Sequence, residues 1–320
     1  MSVINNANPG SHIPSLHFID RLVNRHFSKK NKSEEHLPLT AILSSNMPDY
    51  LFIDEECDAQ GEFKRSTNPE KKLRETLFFW KETGLWQQNE EGIKAWSEFS
   101  CDDNLGERIT QTLFKEKLDI VDGTGIEPLL RGMALFLCLD SFTFAGGNFF
   151  KSTEIETIVG KYLPPRSGND TRLTINSSET ATFANYGLLL GFLEQVTKDT
   201  LVVDPTRLIR PAVIKILKNS DAASEMPVEE FLIQLRGILP VIDGGAYRCT
   251  IEELIRSKVK DWKSLPEHEL SASLSQALYR LNIEGLIFLV PKSDAEKTMQ
   301  LNLPGNKKRP VSHIRFGVEK

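Results

Sequence analysis

A serine, a glutamine and an arginine on one amphipathic helix, followed by a run of lysines and arginines, are the side chains best suited to chemistry in this sequence. The chemistry they suit is contact with a nucleic acid. Between Ser271 and Phe316 the chain reads SASLSQALYRLNIEGLIFLVPKSDAEKTMQLNLPGNKKRPVSHIRF. Leu274, Ala277, Leu278 and Leu281 recur at helical spacing. With those four facing inward, Ser273, Gln276 and Arg280 lie on or near the outer face. Serine and glutamine hydrogen-bond base edges, and Arg280 would take a phosphate or a guanine. Lys292 and Lys297 flank a charged turn, and Lys307, Lys308, Arg309, His313 and Arg315 come after it. These cations are placed to follow a sugar–phosphate backbone. Glu284, Asp294 and Glu296 dilute the positive field, and a helix-and-hairpin module of this kind also serves for docking proteins.

Other chemistry is weaker. Pro48-Asp49 followed by Glu62-Phe63-Lys64 matches a loose metal-nuclease pattern, in which two carboxylates hold a divalent ion and a lysine aids the attacking water. The pattern is short, and Glu62 lies in a turn-like polar stretch rather than on a strand. Asp122-Gly-Thr-Gly125 lacks the strand and helix that frame a phosphate loop, so a helix-joining turn explains it. His12, His17, His26 and His36 sit in a polar N-terminal arm and form no Ser/His/Asp grouping. Cys57, Cys101, Cys138 and Cys249 have no metal-binding spacing and read as buried free thiols. No active site, metal or cofactor is expected.

The elements that must position these residues repeat. The C-terminal helix stops at Asn282 and Gly285 and runs into the apolar strand Leu286 to Val290, a turn over Pro291 to Lys297, and a second strand over Thr298 to Leu303. Near the other end, a helix over Glu70 to Glu82 stops at Gly84. Leu85-Trp86-Gln87, the turn Asn89-Glu90-Glu91-Gly92 and Ile93 to Trp96 follow. Helix, glycine, strand, tight turn and strand form the second half of a winged helix-turn-helix, and the motif occurs at both ends. Two carboxylates at the N-terminal tip would repel phosphate. Trp80, Trp86 and Trp96 cluster there, which suits a protein interface, or else a plain core. A less regular copy has a helix over Thr180 to Gln195, the strand Thr200 to Val203, and a helix opened by Asp204-Pro205 that Pro211 should kink or split.

Further helices are expected from Pro14 to His26, over Leu39 to Leu43, from Asn104 to Lys117 and from Glu127 to Leu139. The last is apolar nearly all round and therefore buried. Asn46 to Thr67 reads as irregular, with one strand near Tyr50 to Ile53. Phe142, Phe144, Phe149 and Phe150 surround Gly146-Gly147 and imply a turn between packed aromatics. Val228 to Leu239, a short strand Tyr247-Arg-Cys249, and a helix capped by Thr250-Ile-Glu-Glu253 complete the C-terminal module. Together these give a mainly α (α+β) fold of tandem winged-helix units around a helical middle region. The expected parts are 1–99, 100–165, 166–225 and 226–320, with Pro164 to Asp170 as a linker.

Composition sets the outer limits. The 320 residues carry a net charge of −5, which argues against a protein that coats nucleic acid by bulk charge. Both ends are locally basic, and local patches are what DNA contact needs. No apolar run is long enough for a membrane helix, and MSVINNANPG lacks the features of a signal peptide, so the cytoplasm is the expected compartment.

The strings IPSLHFIDRLVNRHF, FFWKETGLW, VVDPTRLIRPAV, ALYRLNIEGLIFLVPKSDAEKTMQL and PVSHIRF together resemble DpdG-like proteins, over most of the chain. Those are encoded in bacterial clusters that insert 7-deazaguanine derivatives into DNA and restrict unmodified DNA. The resemblance implies a non-catalytic component of a multi-subunit modification and defence system, with no catalytic residue to carry over. The expected partners are double-stranded DNA and the other subunits, with no membrane and no small-molecule substrate. Two different readings remain: a structural winged-helix subunit of an SMC-type complex, and a metal nuclease using Asp49, Glu62 and Lys64.

Overall fold

The computed structural model describes residues 2–5, 10–27, 36–45, 53–57, 63–65, 68–96, 104–114, 125–165, 173–219, 225–295 and 297–317. The fold is mainly α, with small antiparallel sheets, and it divides into two compact units, Met1–Leu113 and Phe114–Lys320. The boundary between the units falls inside the part 100–165 expected from the sequence.

In the first unit, α1 (Ile13–Phe27) buries Leu16, Ile19 and Val23. These positions fall on one face of a 3.6-residue helix. The short α2 (Leu39–Leu43) spans the residues the sequence predicts. Two strands then pair, β1 (Ile53–Cys57) with β2 (Phe63–Arg65), where the sequence suggested mostly irregular chain. Next comes α3 (Pro69–Glu82). Asn68 caps it by accepting from the Lys71 amide at 3.3 Å, and Pro69 occupies the first turn, where its missing N–H costs nothing. Leu73, Leu77 and Trp80 form its buried face. Gly84 takes the left-handed conformation at φ 84°. That opens the turn into β3 (Gln87–Gln88), which pairs with β4 (Ile93–Lys94). Leu37 bridges Ile93 from the other side, so the last strand lies between the two earlier segments. The unit ends in α4 (Leu105–Leu113), whose Arg108 reaches the buried Asp20 of α1.

The second unit opens on α5 (Glu127–Cys138), buried along its whole length as its composition requires. Gly132 allows close approach: a methyl group there would sit 2.5 Å from the Phe183 ring. After a 3-10 turn at Asp140–Phe142 come β5 (Phe150–Lys151), α6 (Ile155–Tyr162), α7 (Thr180–Leu190), β6 (Leu193–Thr197) and β7 (Thr200–Val203). The helix expected to reach Gln195 therefore stops five residues short. Gly191, at φ 78°, ends it, and Leu193 pairs with Val203 instead. Phe136 stacks on Phe150 with centroids 4.8 Å apart, whereas Phe144 and Phe149 stay partly exposed in an edge contact beside the Gly146-Gly147 turn. The sheet order is β5-β7-β6.

The remainder contains α8 (Thr206–Lys218), β8 (Glu225–Pro227), α9 (Val228–Ile238), α10 (Ala246–Lys258), α11 (Ala272–Ile283) and β9 (Ile287–Val290). After these come β10 (Met299–Leu303), β11 (Lys307–Val311) and β12 (His313–Phe316). Pro211 does not split α8, because Leu208, Ile209, Ala212, Val213 and Ile216 hold both halves to one core. Tyr247-Arg-Cys249 is the first turn of α10, not a strand, and Thr250 lies inside that helix, where its hydroxyl donates to the Ala246 carbonyl at 3.2 Å.

The C-terminal strands pair differently from the expected hairpin. β9 does not pair with β10; it pairs with β12, and β10 pairs with β11 across the turn Pro304-Gly305-Asn306. Gly305 and Asn306 both have positive φ, 74° and 58°, which suits a tight hairpin. The segment that reads as a basic tail is thus two strands, and Val311, Ile314 and Phe316 bury their side chains. The sheet order is β8-β12-β9. Three times over among the described residues, a helix feeds a two-strand ladder whose last strand lies between the two earlier segments.

Candidate nucleic-acid interface

α11 is the helix that the sequence points to as a reader of bases, and its surroundings leave little of it open. Ser271 caps it, accepting from the Leu274 amide at 3.2 Å. Ser273 and Gln276 do not face solvent: both are buried, at 2% and 5% exposure. The Ser273 hydroxyl donates to the Leu137 carbonyl of α5 at 3.0 Å. Neither amide atom of Gln276 has a hydrogen-bond partner among the described residues. Arg280 is half-exposed, ion-paired with the fully buried Asp204, and lies over the Phe144 ring at 5.2 Å. Base reading by Ser273 and Gln276 is therefore excluded while α11 holds this position, because α5 and its following turn cover that face.

A buried polar network that the sequence reading missed fixes α11 there. Arg248 of α10 pairs with Asp243 at 2.5 Å and with Glu252 at 2.9 Å, and donates to the Leu137 carbonyl at 3.0 Å. Asp243 in turn accepts from the Ser271 amide and hydroxyl, both at 2.7 Å. Asp140 accepts from the Ala272 amide at 2.8 Å. Two carboxylates thus meet the positive end of α11. Burial, with the negative charge of Asp243 nearby, pushes the Asp140 carboxyl up to about 6. Arg248 and Glu252 stand four apart on one helix, a pairing visible in the sequence, and Asp243 lies in the turn just before that helix; the contacts of Asp243 and Asp140 with the start of α11 span 28 and 132 residues and give no local sign.

The cations of the C-terminal strands are mostly partnered. Lys292 pairs with Glu225 at 2.6 Å, Lys297 with Glu229 at 2.5 Å, and Lys308 with Glu269. Arg309 lies over the Tyr279 ring at 5.6 Å and Arg315 over Phe288 at 4.8 Å, while His313 contacts the Ser312 hydroxyl at 3.0 Å. Lys307 is exposed at the hairpin, next to the exposed turn Pro304-Gly305-Asn306. From Lys297 to Gly317 the sequence holds no Asp or Glu, so every acid facing these strands comes from elsewhere in the unit. Ion pairs between exposed side chains are weak and screened by salt, and phosphate oxygens can replace them.

The three tryptophans do not form an exposed patch. Trp80 is fully buried, Trp86 nearly so with its indole N–H on Asp20 at 3.3 Å, and Trp96 donates to the Gly84 carbonyl at 3.0 Å. Around Asp20, burial raises its carboxyl pKa although Arg108 pulls the other way, and burial lowers that of His17. These groups tie α1 to α4 and to the β3–β4 hairpin. Asp49 and Glu62 lie outside the described residues, as does the Lys64 side chain, and most of Asp122 to Gly125. Among the described residues no group of His, Cys, Asp and Glu could hold a metal ion. Cys138 is buried, its thiol pushed up to about 12 by desolvation, but Cys249 is exposed, against expectation. No helix among the described residues is long and apolar enough to cross a membrane.

The arrangement defines a class first: a mainly helical protein of repeated helix-and-hairpin assemblies, with a cationic hairpin near one end. The family model described as DpdG-like matches residues 1–295, and the chain belongs to the DpdG-like family. No curated protein and no solved structure matches it.

Proposed function

We propose that the chain is a non-catalytic DNA-binding or adaptor subunit of a bacterial 7-deazaguanine DNA-modification and restriction complex, built from three winged-helix units. Three features support the fold reading: a helix leading into a two-strand wing, a left-handed glycine between them at Gly84, Gly191 and Gly285, and one strand order in all three assemblies. Family membership supports the association with DNA modification.

The observation that carries DNA contact is the acid-free stretch Lys297 to Gly317, folded so that Lys307, Lys308 and Arg309 lie on one hairpin strand. In this reading the β10–β11 hairpin enlarges the C-terminal wing and follows the phosphate backbone, with Arg315, Lys292, Lys297 and His313 behind it. The middle unit faces protein: α7 carries no charged residue, and Phe149 and Val196 are exposed near it. The test is duplex binding against salt concentration for the wild type and a Lys307/Lys308/Arg309→Ala variant. Loss of affinity together with a slope lower by about 2–3 supports the reading; identical curves would sink it.

A further inference from the structure

We infer that the N-terminal unit holds a second surface for duplex DNA, the outer face of α3, and that this face rather than that of α11 enters a groove. The inference rests on the winged-helix and DNA-binding reading above. All three helices that precede a two-strand wing occupy the position from which a winged helix reads DNA. In α7 that helix is TATFANYGLLL, without a cation. In α11 the outward Ser273 and Gln276 are buried, and Arg280 is held by Asp204. In α3 the face is open and charged. Lys71 and Arg74 are exposed, Phe78 keeps 36% exposure, and Lys81 is half-buried with its ammonium 5.1 Å from the Phe78 ring centroid. These four follow i, i+3, i+7 and i+10, one stripe on a 3.6-residue helix, opposite the buried Leu73, Thr76, Leu77 and Trp80.

Charge decides the class of partner. Lys71 pairs with Glu75 at 3.7 Å, but both side chains are solvated, so the pair is weak and a phosphate can displace it. Glu70 lies in the first turn, where it offsets the helix dipole, and Glu75 and Glu82 lie on one flank of the stripe. The remaining stripe offers an arginine for base edges or phosphate, two lysines for phosphate and an aromatic ring for thymine methyls. Fourteen residues give a rod of about 21 Å, which an open major groove accepts. The exposed Glu90 and Glu91 at the β3–β4 turn would lie near the phosphates and oppose binding. The surface therefore makes two predictions of opposite sign.

The experiment uses the full chain, a fluorescein-labelled duplex and anisotropy over a range of NaCl concentrations. Lys71/Arg74/Lys81→Gln is expected to weaken binding at least about tenfold at low salt and to lower the slope of log affinity against log salt by about 2–3. Glu90/Glu91→Gln is expected to tighten binding about threefold or more. All five side chains are at least partly exposed, so both variants should melt within about 2 °C of the wild type. Wild-type affinity and slope for the α3 variant, while Lys307/Lys308/Arg309→Ala loses binding, would overturn the inference and leave the DNA-binding reading standing. Loss of a co-expressed subunit by the α3 variant without any change in DNA affinity would make α3 a protein face and also overturn it. A wild type that binds no duplex would overturn both.

Discussion

The N-terminal and C-terminal helix-and-hairpin assemblies share an order of elements and expose opposite parts. In α3 the polar face is open and the following turn carries Glu90 and Glu91; in α11 the polar Ser273 and Gln276 are buried and the following strands carry the cations. Helical periodicity identifies the apolar face in both cases, Leu73, Leu77 and Trp80 in one and Leu274, Ala277, Leu278 and Leu281 in the other. It does not say whether the polar face meets water or a second part of the chain. Ser273 and Gln276 look alike for either outcome, and only the position of α5 decides.

The contrast can be broken most directly at Arg248, whose network holds the start of α11. Arg248→Met leaves the buried Asp243 and the partly buried Glu252 without their cation, and should cost about 3–5 kcal/mol in urea unfolding. A loss below about 1 kcal/mol would mean that α11 is not fixed by this network. The two faces of α3 sharpen the comparison. Trp80→Ala removes a fully buried indole and should cost about 3–5 kcal/mol, while Phe78→Ala, two residues away on the open face, should stay under about 1 kcal/mol. Equal losses would show that the α3 face is covered.

Asp140 gives a smaller effect with a definite sign. Its carboxyl binds a proton more tightly in the fold, about 6 against the ordinary 3.8, so the fold holds more protons than the unfolded chain between those values. Stability should therefore fall as the pH rises from about 4 to about 6. In Asp140→Asn this component should vanish, because an amide does not titrate, while its oxygen still accepts from the Ala272 N–H. Thermal melts of wild type and variant across that range check it, and an unchanged difference between them would refute it.

Local signals were legible where local chemistry sets structure. The apolar spacing of α1, the span of α2, the glycine stop of α3 and the β3–β4 turn all follow from residues within a few positions. What was not legible depends on distant partners. The pairing of β9 with β12 rather than β10 spans more than twenty residues, and charged side chains disguise β11 and β12 as a tail. The alternation of buried Ile314 and Phe316 around exposed Arg315 was the available sign. Gly191 likewise marked the true end of α7. At the candidate site, the lysines were recognisable by type, but their acidic partners Glu225, Glu229 and Glu269 lie on other elements, which composition cannot pair.

The central claim is that DNA meets the C-terminal hairpin and the α3 face, and not α11. Lysine acetylation footprinting of the full chain with and without duplex, read by mass spectrometry, tests it in one measurement. Lys307 and Lys308, and Lys71 and Lys81, should be protected, with Lys215, Lys218 and Lys260 unchanged. Unaltered labelling at both surfaces with DNA bound would contradict it.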